Sequence, residues 1–270
     1  MLRISLINQL LLVSILACFP LAATQAIIIR HDKADSLYRI GEQFFPQLFF
    51  LHTRFDNKVC VATLISSHWA ITAAHCTRQT PLLDTVSRLE RYQLTVAGHT
   101  VHADRVELHP LSDTGDELKN VDLALIHLAD GISDVVPARL NRGSDELGQV
   151  FSLVGWGYSG IGTRGLQGND GRLRRAKNRV SRADQWLEFR FDDPREPGSQ
   201  ALDLEGVPGL GDSGGPALLE TGSAPIIMGI AVGELEQGPS PAHQGLYGAT
   251  QLYERISTHM DWIEQVMSAQ

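Results

Sequence analysis

The strongest constraint on the fold is punctuation: from Phe44 onward, short apolar runs rich in β-branched and aromatic residues alternate with clusters of Gly, Pro, Asn and Asp. Runs of strand length fall at 47–52, 59–66, 69–73, 92–97, 101–108, 123–127, 150–155, 187–191, 216–219, 226–232 and 248–252. Only two stretches read as helical. One is short and follows His75; the other runs from Ile256 to about Met267, where Ile256, Met260, Ile263 and Met267 recur at spacings of three and four. The expectation is therefore an all-β chain, a sandwich or barrels, braced by a terminal helix.

With 270 residues, 43% hydrophobic and 20% charged, the chain suffices for one large domain or two coupled halves. A net charge of −8 argues against a nucleic-acid partner. Arg3, an apolar run from Leu10 to Phe19 broken only by Ser14, then Pro20 and small residues through Ala26 read as a signal peptide. The run is shorter than the ~20 residues of a membrane span. Cleavage is expected after Ala26, with Ala23 as the second choice. Ile15-Leu16-Ala17-Cys18 also resembles a lipid-attachment motif, with Leu16 bulky for it.

Removing the leader leaves Cys60 and Cys76, and an exported chain with two cysteines predicts one disulfide. The 16-residue loop closed by that bond is worth about 3 kcal/mol in the chain-entropy model. Two independent buried thiols are the alternative.

The stretch 155–182, glycine-dense as far as Gly171, reads as a long surface loop entering a strand. A basic run follows, with Arg172, Arg174, Arg175, Lys177, Arg179 and Arg182. It is either a solvated strand face or a subsite for acidic substrate groups.

Chemistry concentrates in three motifs. Gly211-Asp212-Ser213-Gly214-Gly215-Pro216 puts glycines on both sides of a serine, which lets backbone and substrate approach closely and turns adjacent N–H groups toward a carbonyl oxygen. Trp69-Ala70-Ile71-Thr72-Ala73-Ala74-His75-Cys76 ends an apolar run on a histidine, and Asn120-Val121-Asp122-Leu123 sets a carboxylate at the mouth of another. Singly, each has a bland reading: a turn, a structural histidine, a strand cap. Together they resemble the chymotrypsin/trypsin superfamily of serine peptidases, in the order His, Asp, Ser, from about Ile27 to Val266. Tyr253-Glu254-Arg255-Ile256-Ser257 and Asp261-Trp262-Ile263 resemble that family's last strand and terminal helix. The Arg-His-Asp opening and glycine-rich middle look closest to secreted bacterial members.

The resemblance implies two six-stranded antiparallel β-barrels with a C-terminal helix, spanning 27–270 with a boundary between halves near 140. It implies His75, Asp122 and Ser213 as the catalytic residues, the N–H groups of Gly211 and Ser213 as an oxyanion hole, and an ion pair between Asp212 and a freed Ile27 amine. By position, Val207, Leu210, Val232, Glu234 and Gln251 surround the primary substrate pocket. Val207 stands where trypsin-like members carry an acid, and Gly209 where a cysteine is common, so substrate preference departs from a strict Arg/Lys cutter. No metal or cofactor is required: His99 and His102 form an HxxH without the HExxH context. Protein or peptide substrates, a monomer, a secreted or periplasmic location and no further domain after the terminal helix are expected. The competing readings are a non-catalytic binding protein on this scaffold and a serine esterase.

Overall fold

The computed structural model describes residues 27–52, 58–115, 119–222, 224–235 and 243–269. The expected leader, with Cys18 and both cleavage points, lies outside them. The described residues are mostly strand, arranged in three sheets of which two are barrel-like. The first has six strands in the order Leu48–His52, Lys58–Leu64, Trp69–Thr72, Ala124–Leu128, His99–Leu108 and Tyr92–Val96. Every pairing in it is antiparallel.

The second sheet has eight strands where six were expected. Its path runs Arg174–Arg179, Val150–Gly155, Pro216–Leu219, Ile226–Glu234, Thr250–Arg255, Trp186–Arg190 and Arg182–Ala183, and Arg139–Leu140 adds in parallel to Ile226–Glu234. A four-stranded sheet lies beside it, ordered Gly165–Gly168, Ser159–Ile161, Ile27–Ile29 and Gly206–Val207. The β-branched run Ile27–Ile29 thus sits inside a sheet, parallel to Ser159–Ile161 and antiparallel to Gly206–Val207.

The stretch 155–182, expected as a surface loop entering a strand, carries two further short strands, Ser159–Ile161 and Gly165–Gly168, before Arg174–Arg179; glycine is a poor strand former, so composition concealed them. Arg174–Arg179 alternates inward and outward with the strand period of two. Arg175, Lys177 and Arg179 point outward as a strand face does, but Arg174 is fully buried. Its guanidinium binds Asp35 at 2.7 Å and Asp170 at 2.8 Å, the pairing a buried charge requires. Asp35 belongs to the N-terminal segment, and Ile40 N–H donating to Leu173 O at 3.1 Å ties down its far end.

Two apolar clusters form the core. One fills the six-stranded sheet and reaches the terminal helix through Ile256, Met260 and Ile263; the other gathers Ile27, Ile28 and Ile29 with Phe151, Phe189, Val207 and Tyr253. The terminal brace is a 3-10 turn at Ile256–Thr258 followed by an α-helix at Met260–Ser268. Besides the short helix Ala74–Gln79, a further one at Leu82–Ser87 had no clear sequence period.

Candidate active site

Strand register brings the first two site residues together. Trp69–Thr72 pairs antiparallel with Ala124–Leu128, with Thr72 opposite Ala124. His75 follows the first strand and Asp122 precedes the second, so both emerge at the same end of the pair. His75 lies in the first turn of the helix Ala74–Gln79, whose N–H groups lack intrahelical acceptors. Asp122 Oδ1 accepts the His75 N–H at 2.7 Å, and Asp122 Oδ2 contacts His75 Nδ1. One carboxylate therefore fixes both the backbone and the imidazole of His75.

Cys60 and Cys76 form a disulfide, which ties the residue after His75 to the strand Lys58–Leu64. Both sulfurs lie near the imidazole, but as a disulfide they offer no thiolate to a metal. His99 and His102 take separate carboxylates, Asp134 at 2.9 Å and Asp130 at 2.8 Å.

Ser213 reaches the same place from the second sheet. Its carbonyl accepts Val61 N–H at 2.8 Å, and Gly214 and Gly215 donate to Ala231 O at 2.9 Å and Asp212 O at 3.0 Å. Gly214 has φ 74°, and a Cβ there would meet Thr72 Oγ1 at 2.3 Å, so the serine loop lies directly on the strand leading to His75. Among the described residues no hydrogen bond joins Ser213 Oγ to His75, and Nε2 lies 3.7 Å from Cys76 Sγ. Catalytic hydrogen bonds are commonly loose before substrate binds. Gly211 has φ 95°, and among the described residues the N–H groups of Gly211 and Ser213 donate to no protein acceptor. Two unused donors on either side of Asp212 suit a developing oxyanion.

Asp212 is buried and accepts N–H groups from Gly157 at 2.7 Å and Gly209 at 2.9 Å. Burial pushes its carboxyl up to about 7, and those donors offset only part of the effect. The backbone N–H of Ile27 also favours the charged carboxylate, less than those of Gly209 and Gly157 do. Ile28 pairs with Val207, placing this segment behind the expected substrate pocket.

The five expected pocket residues divide. Leu210 is half exposed, Val232 and Glu234 are partly exposed, and Val207 and Gln251 are buried. Gln251 Nε2 and Gly245 N–H both donate to Glu234 Oε2 at 2.8 Å. Desolvation raises the Glu234 pKa above the usual carboxylate value, opposed by those two hydrogen bonds.

The Trypsin family model matches residues 41–263. The chain belongs to the trypsin family. Among solved structures, this trypsin-family chain is similar to HL collagenase, with a TM-score of 0.61 and 19% identity over 86% of this chain and 98% of that one. At that identity the likeness speaks for the fold. A curated relative, described as an uncharacterized peptidase of Corynebacterium glutamicum (strain R), is 28% identical over 222 residues. The match takes in 77% of this chain but spans only 63% of the relative.

One residue of the site escaped the sequence reading. Glu254 is 1% exposed, and its Oε1 accepts the Asp122 N–H at 2.7 Å. In the strand Thr250–Arg255 inward positions alternate through Gln251 and Tyr253, so periodicity assigns Glu254 to the outer face. That face is covered by the other half of the molecule, which no local pattern reveals.

Proposed function

We propose that this chain is a serine endopeptidase in which Ser213 is the nucleophile, His75 the general base and Asp122 the residue that orients it. The observation carrying this reading is the His75–Asp122 contact at the strand end on which the Ser213 loop packs. Asp122 on Nδ1 leaves Nε2 as the acceptor, so the imidazole takes the Ser213 proton as Oγ attacks the scissile carbonyl. The oxyanion accepts from Gly211 and Ser213 N–H, each such donor being worth about 3–4 kcal/mol in comparable sites. His75 then gives the proton to the leaving amine, and water, activated by the same imidazole, cleaves the acyl-enzyme.

The same reading assigns the ion-pair partner of Asp212 to the Ile27 amine, freed by cleavage after Ala26. A start at Ile27 is supported by the effect of the Ile27 N–H on the Asp212 carboxyl, which it holds toward the charged form. A cut after Arg39 fits less well, because it would detach the strand Ile27–Ile29. Export to a secreted or periplasmic location accords with the Cys60–Cys76 bond; among the described residues no helix is long and apolar enough to cross a membrane.

For substrate, the reading favours peptide bonds after small or apolar residues, since Val207 carries no charge and the Glu234 carboxylate is already engaged by Gln251 Nε2. The deciding experiment is hydrolysis of an unfolded protein by the chain beginning at Ile27, beside Ser213→Ala and His75→Ala chains. The intact chain should cut, and each variant should lose about 10⁶ in turnover while staying folded. A Ser213→Ala chain that keeps substantial turnover would show that Ser213 is not the nucleophile. A chain that hydrolyses simple esters but no peptides would favour the esterase reading.

A further inference from the structure

We infer that Glu254 is a positioning residue of the catalytic apparatus, holding Asp122 from across the two halves of the molecule; the inference rests on the triad reading above. Asp122 sits where the edge of its strand breaks. Val121 N–H donates to Leu111 O at 3.0 Å and Leu123 N–H turns back to Val121 O at 3.0 Å, so the chain bends tightly at Asp122. Among the described residues no backbone carbonyl takes the N–H of Asp122. Glu254 Oε1 takes it at 2.7 Å, the short length of a charge-assisted hydrogen bond.

The direction of this contact matters. Asp122 and His75 flank two paired strands of the six-stranded sheet, whereas Glu254 shares the second sheet with Ile226–Glu234 and Pro216–Leu219, the strand that leaves the Ser213 loop. The contact therefore crosses between the part that carries the base and the part that carries the nucleophile, and it fixes the main chain from which the Asp122 carboxylate projects. Both carboxylate oxygens of Asp122 are engaged by His75, so a shift of the Asp122 backbone moves the imidazole.

Glu254 is itself held in place. His259 Nε2 lies 3.5 Å from Glu254 Oε2. The His259 ring meets His109 edge-on at 4.9 Å, and His109 meets Trp262 at 4.9 Å. Burial, and then the charge of His259, push His109 down to about 4, so its ring stands neutral beside the pair near neutral pH. The arrangement is a chain from the terminal helix through Glu254 and Asp122 to His75.

The test uses the chain beginning at Ile27, with rates counted per serine labelled by a fluorophosphonate. Glu254→Ala should lower kcat by about 10²-fold, the scale of a 1 Å misplacement, with KM nearly unchanged. Glu254→Gln keeps an oxygen for the Asp122 N–H and should retain most of kcat. Wild-type kcat per labelled site in Glu254→Ala, even with a lowered Tm, reduces the residue to a structural role and overturns the inference. Hydrogen exchange of the Asp122 amide in the wild-type chain covers a variant that does not fold: slow exchange is expected, and rapid exchange overturns the proposal. That amide reads the Glu254 contact even if Ser213 takes no label, in which case the triad reading fails by itself.

Discussion

On the proposed ion pair with Ile27, the buried carboxyl of Asp212 should make stability depend on how the chain begins. Burial displaces this group from 3.8 to about 7 while Ile27 is a peptide unit, and at about 1.4 kcal/mol per pH unit that is on the order of 4 kcal/mol. The folded chain holds the proton more tightly than the unfolded chain does. Its contribution is therefore fully present below about pH 4 and is lost as pH rises through about 7. A free Ile27 ammonium would pair with the carboxylate, draw its pKa down and remove that loss. Urea unfolding of two Ser213→Ala chains, one starting at Ile27 and one extended by Ala26, reads the difference directly. The extended chain should weaken between about pH 4 and pH 7, whereas the other should hold its stability and exceed it near neutrality by about 3–5 kcal/mol, the scale of breaking a buried pair. Superimposable pH profiles for the two chains would refute the reasoning, because they would mean the amine does not reach Asp212.

Peptide hydrolysis should fall on acidification from about pH 8 to pH 4, since a protonated imidazole cannot take the Ser213 proton; a rate that stays level over that span contradicts the role of His75. A peptide-library digest should show few cuts after Arg or Lys, and Gln251→Gly, which removes the amide that Glu234 accepts, should admit larger side chains. Cleavage almost solely after Arg and Lys would refute this account of the pocket. Replacing Cys60 and Cys76 together by serine should lower stability by about 3 kcal/mol in urea melts; an unchanged midpoint would show that the bond contributes little.

What the sequence made legible was local. The runs at 69–73 and 123–127 and their termini announced His75 and Asp122, and the glycines flanking Ser213 announced a tight serine loop. Strand pairing then did what no motif states, bringing Thr72 opposite Ala124 and Val61 onto the Ser213 carbonyl. The losses came where composition opposes the local state or where distant chain supplies the partner. Glycine-rich strands at Ser159–Ile161 and Gly165–Gly168 looked like loop. Arg174 looked like one of six similar surface cations until Asp35 and Asp170 closed around it. Glu254 looked outward because its cover comes from the other half of the molecule. The expected pocket was legible only by position, and burial of Val207 and Gln251 depends on Ile28 and Glu234, which lie far from them in sequence.

Central to the account is an activated Ser213, and the most direct measurement is fluorophosphonate labelling of the chain beginning at Ile27, with the modified residue located by mass spectrometry. The account predicts one adduct per chain, on Ser213, formed far more slowly when His75 is replaced by alanine. An intact chain that takes no label, or that is labelled on another serine at a rate indifferent to His75, would contradict it.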